Sequence, residues 1–237
     1  MNTSYTYLLV DFFTVIVCFI FSFHPRIQFH KQFGSFIKAS ILAAIPFIVW
    51  DIWFAKTGVW WFNSHYTLGI NFYDLPLEEW LFFICIPFSC LFTYYCLTKF
   101  FNLSWANAFN NIIVYLSCIV LTVTALVHYD KMYTFVTFIF TTLLIIYLHF
   151  IARALWIGQS LLVWVILMLG FLPVNGILTG SGLDAPIVNY NSKQILNIRL
   201  LTIPIEDIIY GYAQFILNIY LFDLFKNRKQ ANGIAIT

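Results

Sequence analysis

The sequence predicts an all-α, polytopic membrane protein with seven transmembrane helices. Apolar residues make up 62% of the 237-residue chain and charged residues 9%, against about 45–50% and about 25% in soluble domains. A water-soluble globule of this composition would lack the polar atoms to cover its surface, which excludes an ordinary cytosolic enzyme. The net charge of +2 is too small to predict a nucleic-acid-binding surface.

Each of seven apolar stretches is long enough to cross a bilayer core, which needs about 20 residues in a helix. They cover residues 5–23, 36–54, 77–98, 107–128, 133–151, 157–178 and 204–225. The first is not expected to be a cleavable signal, because it carries Asp11 and lacks a basic segment and a small-residue cleavage site. Eight of the twelve Lys and Arg residues lie on the C-terminal side of these spans, which predicts a cytoplasmic C-terminus.

Two long loops on the opposite side, residues 55–76 and 179–203, match each other at a constant offset of 128 positions. Residues 63–79 and 191–207 share six identities, including Asn-Ser at the start and Pro-x-Glu at the end. The match predicts two three-helix repeats joined by a linker helix, a 3+1+3 arrangement. We assign residues 1–98 and 133–225 to the repeats, 99–132 to the linker helix and 226–237 to a polar tail. Because helices 3 and 7 then run in the same direction, the repeats are parallel.

The offset aligns two acidic motifs, Glu78-Glu79 and Glu206-Asp207, which follow Pro76 and Pro204 at the start of apolar helices. Proline suits the first helical turn, where its missing N–H costs nothing. One interpretation is structural, since acids in a first turn are favoured by the helix macrodipole. The other is functional, because ionisable groups at membrane depth are costly and usually serve a task. One acid of each pair is then expected to face a cavity while its neighbour braces it.

Aromatic residues crowd the first motif, among them Trp60 and Trp80. They predict either an interfacial aromatic belt or a ring-lined pocket that stabilises a cation. Further polar candidates stand at the same end of the helices: Asp51, Asn63, Asn175 and Asn191. Asn175 belongs to a Pro-Val-Asn-Gly segment that is expected to interrupt helix 6. Asn63 and Asn191 are expected either to hydrogen-bond the acids or to brace the loop backbone.

No metal or cofactor is predicted. The five histidines are scattered at span ends without metal or haem spacing. Residues 180–185 fit a G-x-G-x-x-A pattern, but they follow a membrane span and not a strand, so a dinucleotide site is not expected. The seventh span has no lysine for a retinal Schiff base.

Several segments together resemble the lycopene cyclase domain family, the heterodimer-type carotenoid cyclases of bacteria and the cyclase half of fungal fusion enzymes. The resemblance covers about residues 5–225 and is carried by residues 22–26 (SFHPR), 47–51 (FIVWD), 58–60 (GVW), 75–83 (LPLEEWLFF), 174–179 (VNGILT) and 202–207 (TIPIED). The chain looks like two small subunits fused into one.

The resemblance implies an isomerase, of intramolecular lyase type, that converts lycopene through γ-carotene to β-carotene. A general acid would protonate the terminal double bond, the next double bond would attack the cation, and a base would remove a ring proton. Such chemistry needs carboxyl groups beside an aromatic wall that excludes water. We take Glu78 and Glu206 as the principal acid/base pair, with Glu79 and Asp207 as alternates or orienting partners. The substrate-binding candidates are the six tryptophan, aspartate and asparagine residues named above.

This interpretation places the chain in a bacterial cytoplasmic membrane, with the acidic motifs on the non-cytoplasmic side. Its partners would be carotenoid taken from the bilayer and other enzymes of carotenoid biosynthesis. Three alternatives remain open from the sequence alone. A related enzyme would act on other carotenoid ends and give monocyclic or ε-ring products. A small transporter shares the parallel repeat, although the helix interiors here are mostly Ile, Leu and Phe. A non-catalytic protein would bind carotenoid without changing it.

Overall fold

The computed structural model describes residues 3–234, with side chains up to Asn227. The described residues are mainly α-helical, as the sequence predicts. The helices are α1 (Thr6–Phe21), α2 (Phe33–Thr57), α3 (Leu77–Phe100), α4 (Asn110–Val127), α5 (Met132–Ile146), α6 (Ile157–Leu178) and α7 (Ile205–Ile234). One turn of π-helix, Tyr147–Ile151, prolongs α5. Within the described residues, seven helical segments are long and apolar enough to cross a membrane. The prediction of a polytopic all-α protein is therefore confirmed.

Two helix boundaries differ from the prediction. The expected interruption at residues 173–176 is wrong, because α6 continues through Pro173 to Leu178. Proline is tolerated inside membrane helices where neighbouring groups satisfy the freed carbonyl. Within α3, for example, the Phe83 carbonyl four residues before Pro87 accepts a bond from Ser40 Oγ at 3.3 Å.

The second difference is at the C-terminus, where α7 extends to Ile234 and takes in most of the segment expected to be a polar tail. Residues 235–237 of that tail lie outside the described residues. So do the side chains of Arg228 and Lys229, two of the basic residues that predict the topology.

The two long loops pair with each other. Strand β1 (Trp60–Phe62) runs antiparallel to β4 (Val188–Tyr190), with Trp60 opposite Tyr190. Two further backbone bonds of 2.8 Å continue the ladder on either side, from Asn63 N to the Ile187 carbonyl and from Asn191 N to the Val59 carbonyl. This pairing brings the loops together beside the helix ends that carry the acidic motifs.

Each long loop ends in a small hairpin that leads directly into an acidic helix. Strands β2 (Asn71–Phe72) and β3 (Leu75–Pro76) precede α3, and β5 (Arg199–Leu200) and β6 (Ile203–Pro204) precede α7. The two hairpins have the same register, since Asn71 pairs with Pro76 in the first and Arg199 pairs with Pro204 in the second. The two prolines thus stand one residue before the helices and not in the first turn, while both acidic pairs do occupy the first turn.

Helix packing crosses the boundary between the proposed repeats. Helix α1 packs on α3 and α5 packs on α7, whereas α2 packs on both α3 and α7. Helix α6 contacts α3 and α7, and α4 lies against α5 and α6. The acidic helices α3 and α7 therefore meet at the centre of the bundle. The 3+1+3 division and the parallel relation of the repeats stay predictions.

Candidate active site

The first acidic motif contributes Glu79 to a buried cluster of carboxyl and phenol groups. Tyr7 in α1 donates a hydrogen bond of 2.6 Å to Glu79 Oε2. The Asp51 carboxyl, from the end of α2, lines the same cavity as Glu79, and its Oδ1 accepts a 3.0 Å bond from the Tyr210 hydroxyl. Both carboxyl groups are buried. Two buried carboxyl groups in one cavity repel each other when both are ionised, which favours a proton on one of them.

The second acidic motif contributes Asp207, which is held by three donors. Tyr133 in α5 donates to Oδ1 at 2.7 Å. Asn175 in α6 and Tyr190 in β4 donate to Oδ2 at 2.9 Å and 2.8 Å. Asp207 is only 5% exposed. Charge-assisted bonds from several donors stabilise the ionised form of a carboxyl group.

One cavity contains both clusters. Its polar wall is formed by Glu79, Asp207, Asp51 and Asn175 together with the tyrosines that contact them. The remaining wall is largely aromatic and apolar. It is formed by β1 and by side chains along α3, α6 and α7: Trp60, Phe62, Phe82, Ile86, Pro87, Trp164, Phe171 and Phe215. A mainly apolar pocket with a few converging polar groups is the usual form of a small-molecule site.

Glu78 and Glu206 point away from this cavity and into the loops. Glu78 Oε1 accepts the Leu68 backbone N–H, and Glu206 Oε1 accepts that of Leu196, both at 2.7 Å. Glu206 Oε1 also accepts a 2.6 Å bond from Thr134 Oγ1. Among the described residues, neither glutamate has a partner for its second oxygen. The division of each acidic pair into a cavity-facing and a bracing residue is as expected, but the cavity-facing member is the second acid.

The other candidates divide in the same way. Asp51, Trp60 and Asn175 line the cavity, whereas Trp80 lies outside the lining and its Nε1 donates to the Phe72 carbonyl at 3.4 Å. The remaining two asparagines brace loops. Asn63 Oδ1 accepts the His65 N–H at 3.1 Å. Asn191 Oδ1 accepts the Lys193 N–H at 3.1 Å, and its amide donates to the Gly58 carbonyl at 3.2 Å.

Sequence reasoning missed the four tyrosines that bind the carboxyl groups: Tyr7, Tyr133, Tyr190 and Tyr210. A signal was available for two of them, because Tyr7 and Tyr133 stand near the start of the first helix of each proposed repeat. The phenol of Tyr190 lies outside the membrane-spanning segments. Its burial against the cavity raises its pKa well above the ordinary value, and the neighbouring charge of Asp207 raises the pKa further. Tyr190 therefore remains a hydrogen-bond donor at neutral pH.

Fold and cavity together define a polytopic membrane protein with a buried carboxyl–phenol site walled by aromatic rings. The family model described as lycopene cyclase matches residues 4–97 and 130–225. The chain belongs to the lycopene cyclase family, and it is accordingly related to enzymes of carotenoid cyclisation.

Two fungal relatives carry the name bifunctional lycopene cyclase/phytoene synthase. The protein of Podospora anserina is 32% identical over 99 residues, which is 42% of this chain and 16% of the fungal protein. That of Pyrenophora tritici-repentis is 29% identical over 77 residues, 32% of this chain and 12% of the relative. The aligned segments thus span less than a fifth of either curated relative. No solved structure matches the chain.

Proposed function

We propose that this protein is a lycopene β-cyclase, which converts lycopene through γ-carotene to β-carotene. The observation that carries the proposal is the single cavity in which the Asp51–Glu79 pair and Asp207 lie together against aromatic rings. Acid/base cyclisation of a polyene needs a proton donor, a proton acceptor and a wall that keeps water from the cation. Membership of the lycopene cyclase family supports this choice of substrate.

The reaction is an isomerisation that neither adds nor removes atoms. A carboxyl group gives a proton to the terminal double bond and leaves a tertiary cation. The next double bond attacks this cation, which forms the ring bond and moves the positive charge onto the ring. A second carboxyl group then takes a ring proton and creates the ring double bond. The face of an aromatic ring stabilises the cation through its quadrupole.

We assign the acid/base roles to Glu79 and Asp207, with Asp51 as the partner of Glu79. The sequence favoured Glu78 and Glu206 for these roles, but Oε1 of each side chain accepts a hydrogen bond from a loop N–H. A catalytic group must reach the reacting atoms, and the lining of the cavity favours the second acid of each motif. The bracing glutamates would act by fixing the loops over the cavity.

The substrate would enter from the bilayer, because the apolar wall continues along the membrane-spanning parts of α3, α6 and α7. We further propose that the acidic motifs face the non-cytoplasmic side of a bacterial cytoplasmic membrane. The excess of Lys and Arg at the other helix ends supports this orientation.

Expression in a bacterium that accumulates lycopene tests the function, with pigments separated by chromatography and identified by absorbance and mass. The intact chain should yield β-carotene, Glu79→Gln should leave lycopene, and the adjacent control Glu78→Gln should still form rings. Lycopene left unchanged by the intact, membrane-inserted chain would rule out the cyclase. Pigment that co-purifies unaltered would favour carotenoid binding instead, and solute flux in proteoliposomes would favour a transporter.

A further inference from the structure

The two cavity-facing acids, Glu79 and Asp207, have neighbours at corresponding places in the two repeats, but some of these neighbours differ in chemistry. Tyr7 and Tyr133 play one role, since each donates from the first helix of its repeat to the cavity-facing acid. The second helix contributes a further cavity-lining neighbour, which is Asp51 for Glu79 but Asn175 for Asp207. A carboxyl group on one side is thus replaced by an amide on the other.

A second replacement of the same kind lies one helical turn deeper. Asp11 follows Tyr7 by four residues, and Thr137 follows Tyr133 by four residues, so both lie on the tyrosine's face of the helix. Asp11 is 1% exposed, and among the described residues neither of its oxygens has a hydrogen-bond partner. Tyr7, one helical turn away, is hydrogen-bonded to Glu79 at 2.6 Å, so Asp11 lies one turn behind that carboxyl group.

The first half has more buried carboxyl groups in and beside the cavity, but the second half has more hydrogen-bond donors for each cavity-facing carboxyl group. Among the described residues, the cavity-facing carboxyl groups of the first half, Glu79 and Asp51, have one phenol donor each, and Asp11 behind them has none. Asp207, the cavity-facing carboxyl group of the second half, receives three side-chain bonds. The additional donor there, Tyr190, stands where the other repeat has Phe62 at the offset of 128.

We propose that the two repeats have divided the reaction between them, so that the first half is the acid and the second half is the base. This inference rests on the proposed function and extends it. Three neighbouring buried carboxyl groups cannot all be ionised, because like charges at short range repel and burial penalises each charge. An unpartnered, buried Asp11 is neutral for the same reason. The first half therefore stores protons, whereas the donors around Asp207 hold it ionised.

The proton count closes for each ring. Glu79 gives one proton to the terminal double bond, and Asp207 removes one proton from the ring. Returning that proton from Asp207 to the Asp51–Glu79 pair restores the starting state without an oxidant or reductant. Asp11 is not part of the cavity lining, so it is a positioning residue that keeps a neutral carboxyl group behind Glu79.

Product identity separates the two roles. With Glu79→Gln no cation forms, and at least nine-tenths of the lycopene should remain unreacted. With Asp207→Asn the cation still forms but its proton is not removed in the usual way. Lycopene should then be consumed to products with a displaced double bond or, where water adds to the cation, with one hydroxyl group. Unreacted lycopene with a folded Asp207→Asn protein, or the altered products with Glu79→Gln, would overturn the division.

Infrared spectroscopy of the purified, detergent-solubilised protein tests the same division without activity. Asp11→Asn and Glu79→Gln should each remove absorption of a protonated carboxyl group, whereas Asp207→Asn should leave that absorption intact. Thr137→Val is the matched control for Asp11 and should change nothing, and Asp11→Thr copies the other repeat if the asparagine variant does not fold. Loss of the protonated band in Asp207→Asn would refute the inference. The expected spectra from a protein that does not cyclise lycopene would refute the proposed function alone.

Discussion

Glu206 and Asp207 are adjacent in the chain, but substitution of their carboxyl groups by amides should affect the rate of product formation very differently. Glu206→Gln keeps an oxygen that can accept the bonds from Leu196 N and Thr134 Oγ1, at 2.7 and 2.6 Å. We therefore expect its rate of ring formation, per folded protein, to stay within a few fold of the original. Asp207→Asn removes the proton acceptor from the cavity, so formation of β-carotene and γ-carotene should fall by about 10²–10⁴-fold, while lycopene is still consumed to the altered products.

Glu206→Ala provides the matching stability measurement. It leaves the buried Thr134 hydroxyl without an acceptor, which costs about 1–3 kcal/mol, and also the half-buried Leu196 N–H, which costs less. Its melting temperature in detergent should fall, while that of Asp207→Asn should change much less than its rate. Rates are measured as β-carotene and γ-carotene formed per folded protein in membranes containing lycopene. A Glu206→Gln protein that folds normally yet loses as much activity as Asp207→Asn would refute the assignment of Glu206 to loop bracing.

Three further predictions follow from the cavity and the topology. Gly211→Ala would place a methyl carbon 2.8 Å from Trp164 Cη2, so we expect a loss of about 1–3 kcal/mol, and an unchanged thermal unfolding curve would contradict this. The raised pKa of Tyr190 means that its contribution to stability is present below its ordinary pKa of about 10 and is lost as the pH rises further. Tyr190→Phe should therefore lose less thermal stability at alkaline pH than the original protein, and equal losses would exclude burial of this phenol. A phosphatase reporter, which is active only in the periplasm, should be active when fused after residue 130, and a fluorescent reporter that works only in the cytoplasm should be active at the C-terminus. The reverse pattern would show that the predicted topology is inverted.

The helices could be predicted closely because their signal is local. Each span needs only an uninterrupted apolar stretch of membrane length, and the predicted span 157–178 coincides with α6. The errors concern polar or proline-containing ends. Pro173 looked like a helix terminator, but α6 continues past it for another five residues. The polar residues after Lys226 were expected to form a tail, but they continue α7 as far as Ile234.

The candidate site could be predicted only in part, because its decisive features are tertiary. The repeat located both acidic motifs, but it could not tell which acid of each pair faces the cavity, since adjacent residues differ by about 100° around a helix. That choice depends on where the loop N–H groups of Leu68 and Leu196 lie. The phenols were missed because the sequence does not show which of the fourteen tyrosines reach the carboxyl groups, although Tyr7 and Tyr133 hold similar places in the two repeats.

A single cavity with one acidic half and one basic half sets the order in which rings form. Under the proposed mechanism, Glu79 and Asp207 serve the same end of the substrate in one binding event, so the cavity makes one ring at a time. The other end of the polyene must then be presented to the same groups, either after release or after reversal within the bilayer. With lycopene in excess over protein, γ-carotene should therefore appear before β-carotene and decline as lycopene is exhausted. Simultaneous appearance of both pigments from the first turnover would indicate that the two motifs each form a ring, which the asymmetry between Asp51 and Asn175 argues against.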